Sequence, residues 1–239
     1  MPGVGGLPGR GLREPGSLVG VCAEGPVAPE ECLSVYDAIR LRRDVRSEFT
    51  GEVVDDSTLL RILEAAHRAP SVGNSMPWDF IVIRDPAMLG KFADHVADKR
   101  REFGAALPAD RSETFNPIKI EGIVESGTGI VVTHNQARGG THVLGRATVP
   151  ETGIYSTILA IQNLWLAATA EGVGVGWVSF YDTPVLADLL NLPDHIKPVA
   201  WLCVGPVTEF QQIPDLERFG WRTRRPLEDA IHWEHFTPR

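Results

Sequence analysis

Three arginines surround one aspartate in the segment 42–46, whose sequence is RRDVR. A guanidinium group presents a fork of N–H donors that matches a phosphate or a carboxylate, so this spacing predicts an anion site. The same run is also typical of a solvated surface turn with local ion pairs, and the residues alone leave that alternative open. We expect Asp44, a lone carboxylate between arginines, to stay ionised and to act as a base or hydrogen-bond acceptor.

A second group of arginines lies near the C-terminus, at Arg222, Arg224 and Arg225. Alone it is typical of a solvated tail, but together with the segment 42–46 it could close on one phosphate. The glycines of the segment 172–176 follow a helical pattern and precede a strand, the reverse of a dinucleotide-binding fingerprint, so they predict tight strand packing. His232 and His235 lack the HExxH spacing of a zinc site, and no metal site is predicted.

The composition argues against several classes of partner. The chain has 239 residues, 31 of them acidic and 23 basic, with a formal net charge of −8. This balance disfavours a nucleic-acid binder that neutralises many phosphates, and no apolar run approaches the roughly 20 residues that a membrane helix needs. The three cysteines form no CxxC pair, which favours a reducing cytoplasm over a disulfide framework or a four-cysteine zinc site.

Glycine and proline divide the chain into two parts. Residues 1–30 hold eight of the 24 glycines and five of the 18 prolines. Such a segment cannot bury enough apolar surface to offset its ordering entropy, so we predict a flexible tail. Residues 31–239 are expected to form a single domain. Their helices and strands do not alternate regularly, which predicts an α+β fold rather than a doubly wound one.

Short local signals place the elements that position these residues. Helices are predicted after the N-cap Ser34, from Asp55 or Asp56 to about Ala69, after Pro86, and from about Thr152 to Glu171, the longest. Strands are predicted at Phe80–Ile83, Ile130–Thr133, Val173–Ser179 and Val199–Val204. The first helix should turn Val35, Ala38 and Ile39 toward a core. The last helix is apolar nearly all round, which is typical of a helix central to its fold or packed on a partner subunit. Its predicted stripe is Ile154, Ile158, Ile161 and Trp165.

Several stretches together resemble the nitroreductase-like FMN flavoprotein superfamily, and within it the 5,6-dimethylbenzimidazole synthase branch. They are RRDVR at 42–46, APSVGNSMPW at 69–78, RGGTHVLGR at 138–146, and the segments 155–168 and 171–179. The similarity covers about residues 33–228, and the combination is far more specific than any one motif. One departure is Met76, where superfamily members usually carry Gln, a change that bears on any polar contact from this position.

The resemblance implies a sandwich around a mostly antiparallel central sheet flanked by helices, assembled as an intertwined homodimer that binds FMN at its interface. The arginines of segment 42–46 would hold the phosphate, ribityl and pyrimidine oxygens of the flavin, with further phosphate contacts from Arg222 and Arg224. The segment 70–74 would come from the other subunit, and the segment 118–123 would form a lid. The implied flavin-binding residues are Arg42, Arg43, Asp44, Val45, Arg46, Pro70, Ser71, Gly73, Asn74, Ile118, Val178, Ser179, Arg222 and Arg224.

The reaction implied by the resemblance consumes reduced FMN as its substrate. Molecular oxygen adds to it, the ring system fragments, and 5,6-dimethylbenzimidazole, the lower ligand of vitamin B12, is released with a tetrose phosphate. Asp44 and Ser179 are the implied catalytic residues: Asp44 would move protons during carbon–carbon cleavage, and Ser179 would hydrogen-bond the flavin. A separate flavin reductase would supply the reduced FMN, and no metal, nucleic acid or membrane is required.

Two alternatives remain. The first is an NAD(P)H-dependent nitroreductase or flavin reductase on the same fold, with FMN as a bound cofactor. Asp44 argues against it, because such reductases tend to have a small hydroxyl residue at this position, and a closed lid would leave no room for nicotinamide. The second is a flavin-binding module without catalysis, which a test for bound or bindable FMN addresses.

Overall fold

The computed structural model describes residues 33–238, so the predicted tail lies outside the described part of the chain. This range forms seven α-helices: α1 (Val35–Leu41), α2 (Asp56–His67), α3 (Pro86–Ala105), α4 (Ala109–Phe115), α5 (Thr152–Ala170), α6 (Thr183–Leu189) and α7 (Asp215–Arg218). Its four strands are β1 (Trp78–Ile83), β2 (Gly129–Asn135), β3 (Val173–Val178) and β4 (Ile196–Pro206). Short 3-10 helices lie at Val72–Asn74 and Leu227–Ala230.

The four strands form one sheet in the order β1-β2-β4-β3, and every neighbouring pair is antiparallel. Successive residues of a strand point to opposite faces of the sheet. On β2, Ile130 and Val132 pack with residues of α2 and α5, whereas Val131 packs with residues of α3 and α6. Helices therefore cover both faces, which confirms the predicted α+β sandwich. Each predicted strand overlaps an observed one.

Side-chain caps explain where two of the predicted helices begin. Ser34 accepts a hydrogen bond from the Asp37 N–H at 3.2 Å, and Asp55 accepts one from the Thr58 N–H at 3.0 Å. Each bond satisfies a backbone donor that has no partner inside its helix, so both predicted starts are confirmed. Beyond the end of α5, Gly172 has a φ of +73°, a left-handed conformation that glycine adopts without a Cβ clash.

One prediction about helix length is wrong, and three short helices, α4, α6 and α7, were missed. Helix α3 has 20 residues and α5 has 19, so α5 is not the longest helix of the described chain. Helix α4 is absent from the sequence-based prediction because Phe115 is the one buried residue among its seven, which leaves no apolar stripe to detect. Among the described helices, none is both long enough and apolar enough to cross a membrane.

Several apolar residues of α1 and α5 are exposed in a single chain. Within the described chain, Ala38 is the buried residue of α1, while Val35 and Ile39 are 59% and 51% exposed. The prediction that these two residues face a core is therefore wrong for a single chain, because α1 contacts α5 and its other sides face outward. On α5, Ile161 is buried but Ile158 is 39% exposed.

Candidate active site

The arginine motif, residues 42–46, follows α1 and lies against the edge strand β3. The Val45 N–H donates to the Val175 carbonyl oxygen at 3.0 Å, and Asp44 forms a parallel bridge with the same residue. A Cβ placed on Gly176 would lie 2.1 Å from the Val45 carbonyl oxygen, so the approach requires glycine. The prediction that these glycines allow tight packing is confirmed. The segment that packs closely against them is the arginine motif.

Asp44 lies between the backbone of β3 and the guanidinium of Arg46. Its Oδ1 accepts a hydrogen bond from the Trp177 N–H at 2.8 Å, and its Oδ2 forms an ion pair with Arg46. About one third of its side-chain surface is exposed (33%). Burial raises the pKa of Asp44, against the opposing effects of Arg46, the Trp177 N–H and Arg42. The expectation that Asp44 stays ionised therefore stays a prediction, and the raised pKa makes its carboxylate a stronger base.

The protein itself engages the other two arginines of the motif. The Arg43 guanidinium donates to three carbonyl oxygens, including that of Gln212 at 2.6 Å. The Arg42 guanidinium lies 4.9 Å from the centre of the Trp165 ring on α5. Burial lowers the pKa of Arg43, and the positive charges of Arg42 and Arg224 lower it further. The fold thus brings Arg224 of the C-terminal group into the electrostatic neighbourhood of the arginine motif.

The C-terminal arginines are anchored through their backbone and a neighbouring tryptophan. The N–H groups of Trp221 and Arg222 donate to the Leu216 carbonyl oxygen at 2.8 and 3.1 Å. The Arg111 guanidinium of α4 lies 3.8 Å from the centre of the Trp221 ring. Arg222 and Arg224 are exposed, so their side chains are accessible to an anionic ligand.

A cavity of about 360 Å³ opens beside Arg46 at the end of β3. Its remaining walls are Phe103, Phe115, Ile118, Ile120, Trp177, Ser179, Phe180, Leu216 and Trp221. Small-molecule sites typically have volumes of about 300–1,000 Å³ and apolar walls with a few polar groups. The Nε of Arg46 is buried and has no hydrogen-bond partner among the described residues. The cavity therefore fits a flat aromatic ring system with a polar edge, such as the ring of FMN.

The residues predicted to contact the flavin ring line this cavity or belong to the core cluster against which its wall packs. Ser179 follows the last residue of β3 and lines the cavity. Val45 and Val178 are buried in the core cluster against which the wall residues Ile120 and Phe180 pack. Ile118 lines the cavity and is only 2% exposed. The segment 118–123 thus contributes packed wall residues, and its action as a lid stays a prediction.

The turn at 70–74 contains the predicted residues Pro70, Ser71, Gly73 and Asn74. Within this turn, the Val72 N–H donates to the Ser156 Oγ at 3.0 Å, near the start of α5. Arg42 instead contacts Trp165, which lies nine residues further along α5. At 1.5 Å of rise per residue, the two contacts are about 13 Å apart along the helix axis. The turn and the arginine motif therefore pack on different parts of α5 in one chain.

The sequence-based prediction missed the aromatic walls of the cavity and one buried carboxylate. The rings nearest to Phe103 are those of Phe115, Phe180 and Trp221, at centroid distances of 5.1, 5.3 and 6.4 Å. They come from separate segments, so no spacing along the chain marks them. Asp215 of α7 pairs with Arg218 at 2.7 Å, and its negative charge adds to the raised pKa of Asp44.

Comparison with known proteins agrees with this geometry. The chain matches the Nitroreductase family over residues 39–206. A 5,6-dimethylbenzimidazole synthase from Rhodospirillum rubrum is 40% identical over 203 residues, which are 84% of this chain and 96% of that protein.

Two solved structures share the fold. Oxidised iodotyrosine deiodinase bound to FMN and 3-iodo-L-tyrosine aligns with a TM-score of 0.67 at 20% identity, over 85% of this chain and 100% of that one. A BluB-like flavoprotein from Clostridium difficile 630 aligns with a TM-score of 0.64 at 20% identity, over the same shares. The chain therefore belongs to the nitroreductase family, in the group of the 5,6-dimethylbenzimidazole synthases.

Proposed function

We propose that this chain is an oxidoreductase that converts reduced FMN and molecular oxygen into 5,6-dimethylbenzimidazole, a tetrose phosphate and a fragment that holds the remaining atoms of the pyrimidine ring. The observation that carries the proposal is that Asp44 is bonded to the N–H of Trp177 and to Arg46, two residues that line the aromatic cavity. The identity of 40% to a synthase over nearly its whole length supports this activity over that of an NAD(P)H-dependent reductase.

The flavin is the substrate, and it supplies both the electrons that reduce oxygen and the carbon skeleton of the aromatic product. The free Nε of Arg46 binds a polar edge of the ring, and the aromatic walls pack on its faces. The phosphate is held by Arg42, Arg222 and Arg224 through charge-assisted hydrogen bonds. Arg43 adds positive charge while its bond to a carbonyl oxygen ties the motif to the segment before α7.

Asp44 takes up and returns protons while the carbon–carbon bond of the substrate breaks. Its Oδ1 is held by the Trp177 N–H, so the proton moves at Oδ2, which Arg46 orients. Burial raises the pKa of Asp44, and a carboxylate whose pKa is closer to the working pH transfers protons more effectively. Ser179 lies on the wall of the same cavity and donates a hydrogen bond to the substrate.

The working form is a homodimer in which the partner subunit supplies the turn at 70–74. Exposed apolar residues of α5 beside this turn support the assembly: Tyr155 is 55% exposed and Leu159 is 45% exposed. Burying these side chains removes apolar area from water. A separate flavin reductase supplies reduced FMN, and the lack of a CxxC pair favours work in the cytoplasm.

The test is a single turnover with the purified chain. The protein is mixed without oxygen with a stoichiometric amount of reduced FMN, exposed to air, and analysed by chromatography. We expect 5,6-dimethylbenzimidazole to appear as reduced FMN disappears. Formation of only oxidised FMN and hydrogen peroxide would contradict the proposal and favour a reductase, which would also oxidise NAD(P)H in repeated turnovers.

A further inference from the structure

A second cavity shares part of its wall with the first. Its volume is about 480 Å³, and its walls are Lys99, Glu102, Phe103, Ser179, Phe180 and Tyr181. Phe103, Ser179 and Phe180 also line the first cavity. The two cavities are therefore neighbours, and the wall that they share consists of two aromatic rings and the proposed catalytic serine.

The shared wall can change its shape through side-chain movement. Phe103 and Phe180 meet edge to face, with ring centroids 5.3 Å apart and an angle of 89° between the rings. Phe103 is 38% exposed, so its ring is not enclosed by the core. Exposed side chains change rotamer within nanoseconds, and no hydrogen bond holds an aromatic pair of this kind. Rotation of the Phe103 side chain can therefore change the shape of the shared wall without movement of the backbone.

The charges beside the second cavity disfavour an anion. The Lys99 ammonium is held by Asp182 at 2.8 Å and by Glu102 at 2.9 Å, and these carboxylates raise the pKa of Lys99. His95 accepts a hydrogen bond from the Asp182 N–H at its Nε2. Among the described side chains of this group, two carboxylates, those of Glu102 and Asp182, surround one ammonium group, that of Lys99. A phosphate dianion is repelled by such a group, whereas the arginine motif beside the first cavity attracts it.

We propose that the second cavity is the exit site for the neutral aromatic product. The inference rests on the proposed synthase activity, which yields a flat benzimidazole and a phosphorylated sugar fragment. Tyr181 and the two phenylalanines offer ring faces for stacking. The Glu102 carboxylate accepts a hydrogen bond from the N–H of the benzimidazole. The arginines meanwhile retain the phosphate, so the aromatic product and the phosphorylated product leave by different sides.

The exit site is tested by titrating 5,6-dimethylbenzimidazole into the full chain saturated with oxidised FMN. Calorimetry measures the binding, and flavin absorbance shows whether FMN stays bound. We expect both molecules to bind together. Tyr181→Leu should weaken the binding of the benzimidazole about tenfold, and Glu102→Gln about fivefold. Glu64→Gln is the matched control, because Glu64 is also an exposed helical glutamate paired with a cation, but it lies on α2. This substitution should leave the binding of the benzimidazole unchanged.

Three results would overturn the exit site: no binding of the benzimidazole, displacement of FMN by it, or equal affinity in all the variants. The single-turnover yield of 5,6-dimethylbenzimidazole is measured on the same preparation. If the product forms but does not bind beside FMN, the exit site is wrong and the proposed function stands. If no product forms, the proposed function is wrong, and the exit assignment falls with it even if the cavity binds aromatic molecules.

Discussion

Replacement of Asp44 by asparagine separates the chemical role of this carboxylate from its structural role. Asparagine has nearly the same size, and its Oδ1 can still accept the hydrogen bond from the Trp177 N–H, which is 2.8 Å long in the native protein. The second oxygen becomes an NH2 group, which cannot take up a proton and faces the Arg46 guanidinium. The substitution thus removes one negative charge and one proton acceptor.

The expected loss of activity is large, and the expected loss of stability is small. A positioned general base contributes about 10²–10⁴-fold to a rate, so we expect product formation to fall at least about 100-fold. Burial raises the pKa of Asp44, so the folded protein favours the neutral form of this carboxyl group. The contribution of Asp44 to stability therefore falls as the pH rises through the pKa that Asp44 has in the folded protein. Neutral asparagine removes that penalty, which offsets the lost ion pair. We expect the free energy of unfolding to change by less than about 1 kcal/mol.

Three measurements check this prediction: product yield in a single turnover, FMN affinity by fluorescence quenching, and unfolding in urea. Asp79→Asn is the matched control, because Asp79 pairs with Arg138 at 2.7 Å on β1 and does not line the cavity. We expect the control to keep full activity. Product formation by Asp44→Asn within tenfold of the native rate, with FMN bound normally, would refute the proton-transfer role.

Three other substitutions test the surroundings of the site. Asp215→Asn removes a charge that helps to raise the pKa of Asp44, so the Asp44-dependent midpoint of the pH–rate profile should move to lower pH; an unmoved midpoint would contradict the coupling. Gly176→Ala places a Cβ 2.1 Å from a backbone oxygen of the arginine motif and should destabilise the fold by about 1–3 kcal/mol in urea unfolding and weaken FMN binding. Gly90→Ala, whose Cβ would meet nothing within 4 Å, is its control and should not destabilise the protein. Leu159→Arg should give a monomer with weakened FMN binding in light-scattering and fluorescence measurements, and a stable dimer would contradict the proposed interface.

The local elements of the fold could be predicted because their signals act over a few residues. The cap of α1 joins Ser34 to Asp37, and the cap of α2 joins Asp55 to Thr58, so each lies within one short stretch of sequence. Gly172 ends α5 for an equally local reason. The family resemblance also followed from short motifs read in combination, above all the arginine motif.

The sequence by itself thus determined the helices and strands that carry strong local signals, the family, and the residue types of the site. Only the tertiary structure decided the direction of the pKa shift of Asp44, because that shift depends on burial against β3 and on the charge of Asp215, far away along the chain. It also decided the aromatic walls, whose rings come from separate segments, and the exposure of Val35 and Ile39. Desolvation and cavity shape arise from packing between distant residues, and no local pattern of residues specifies which distant residues will meet.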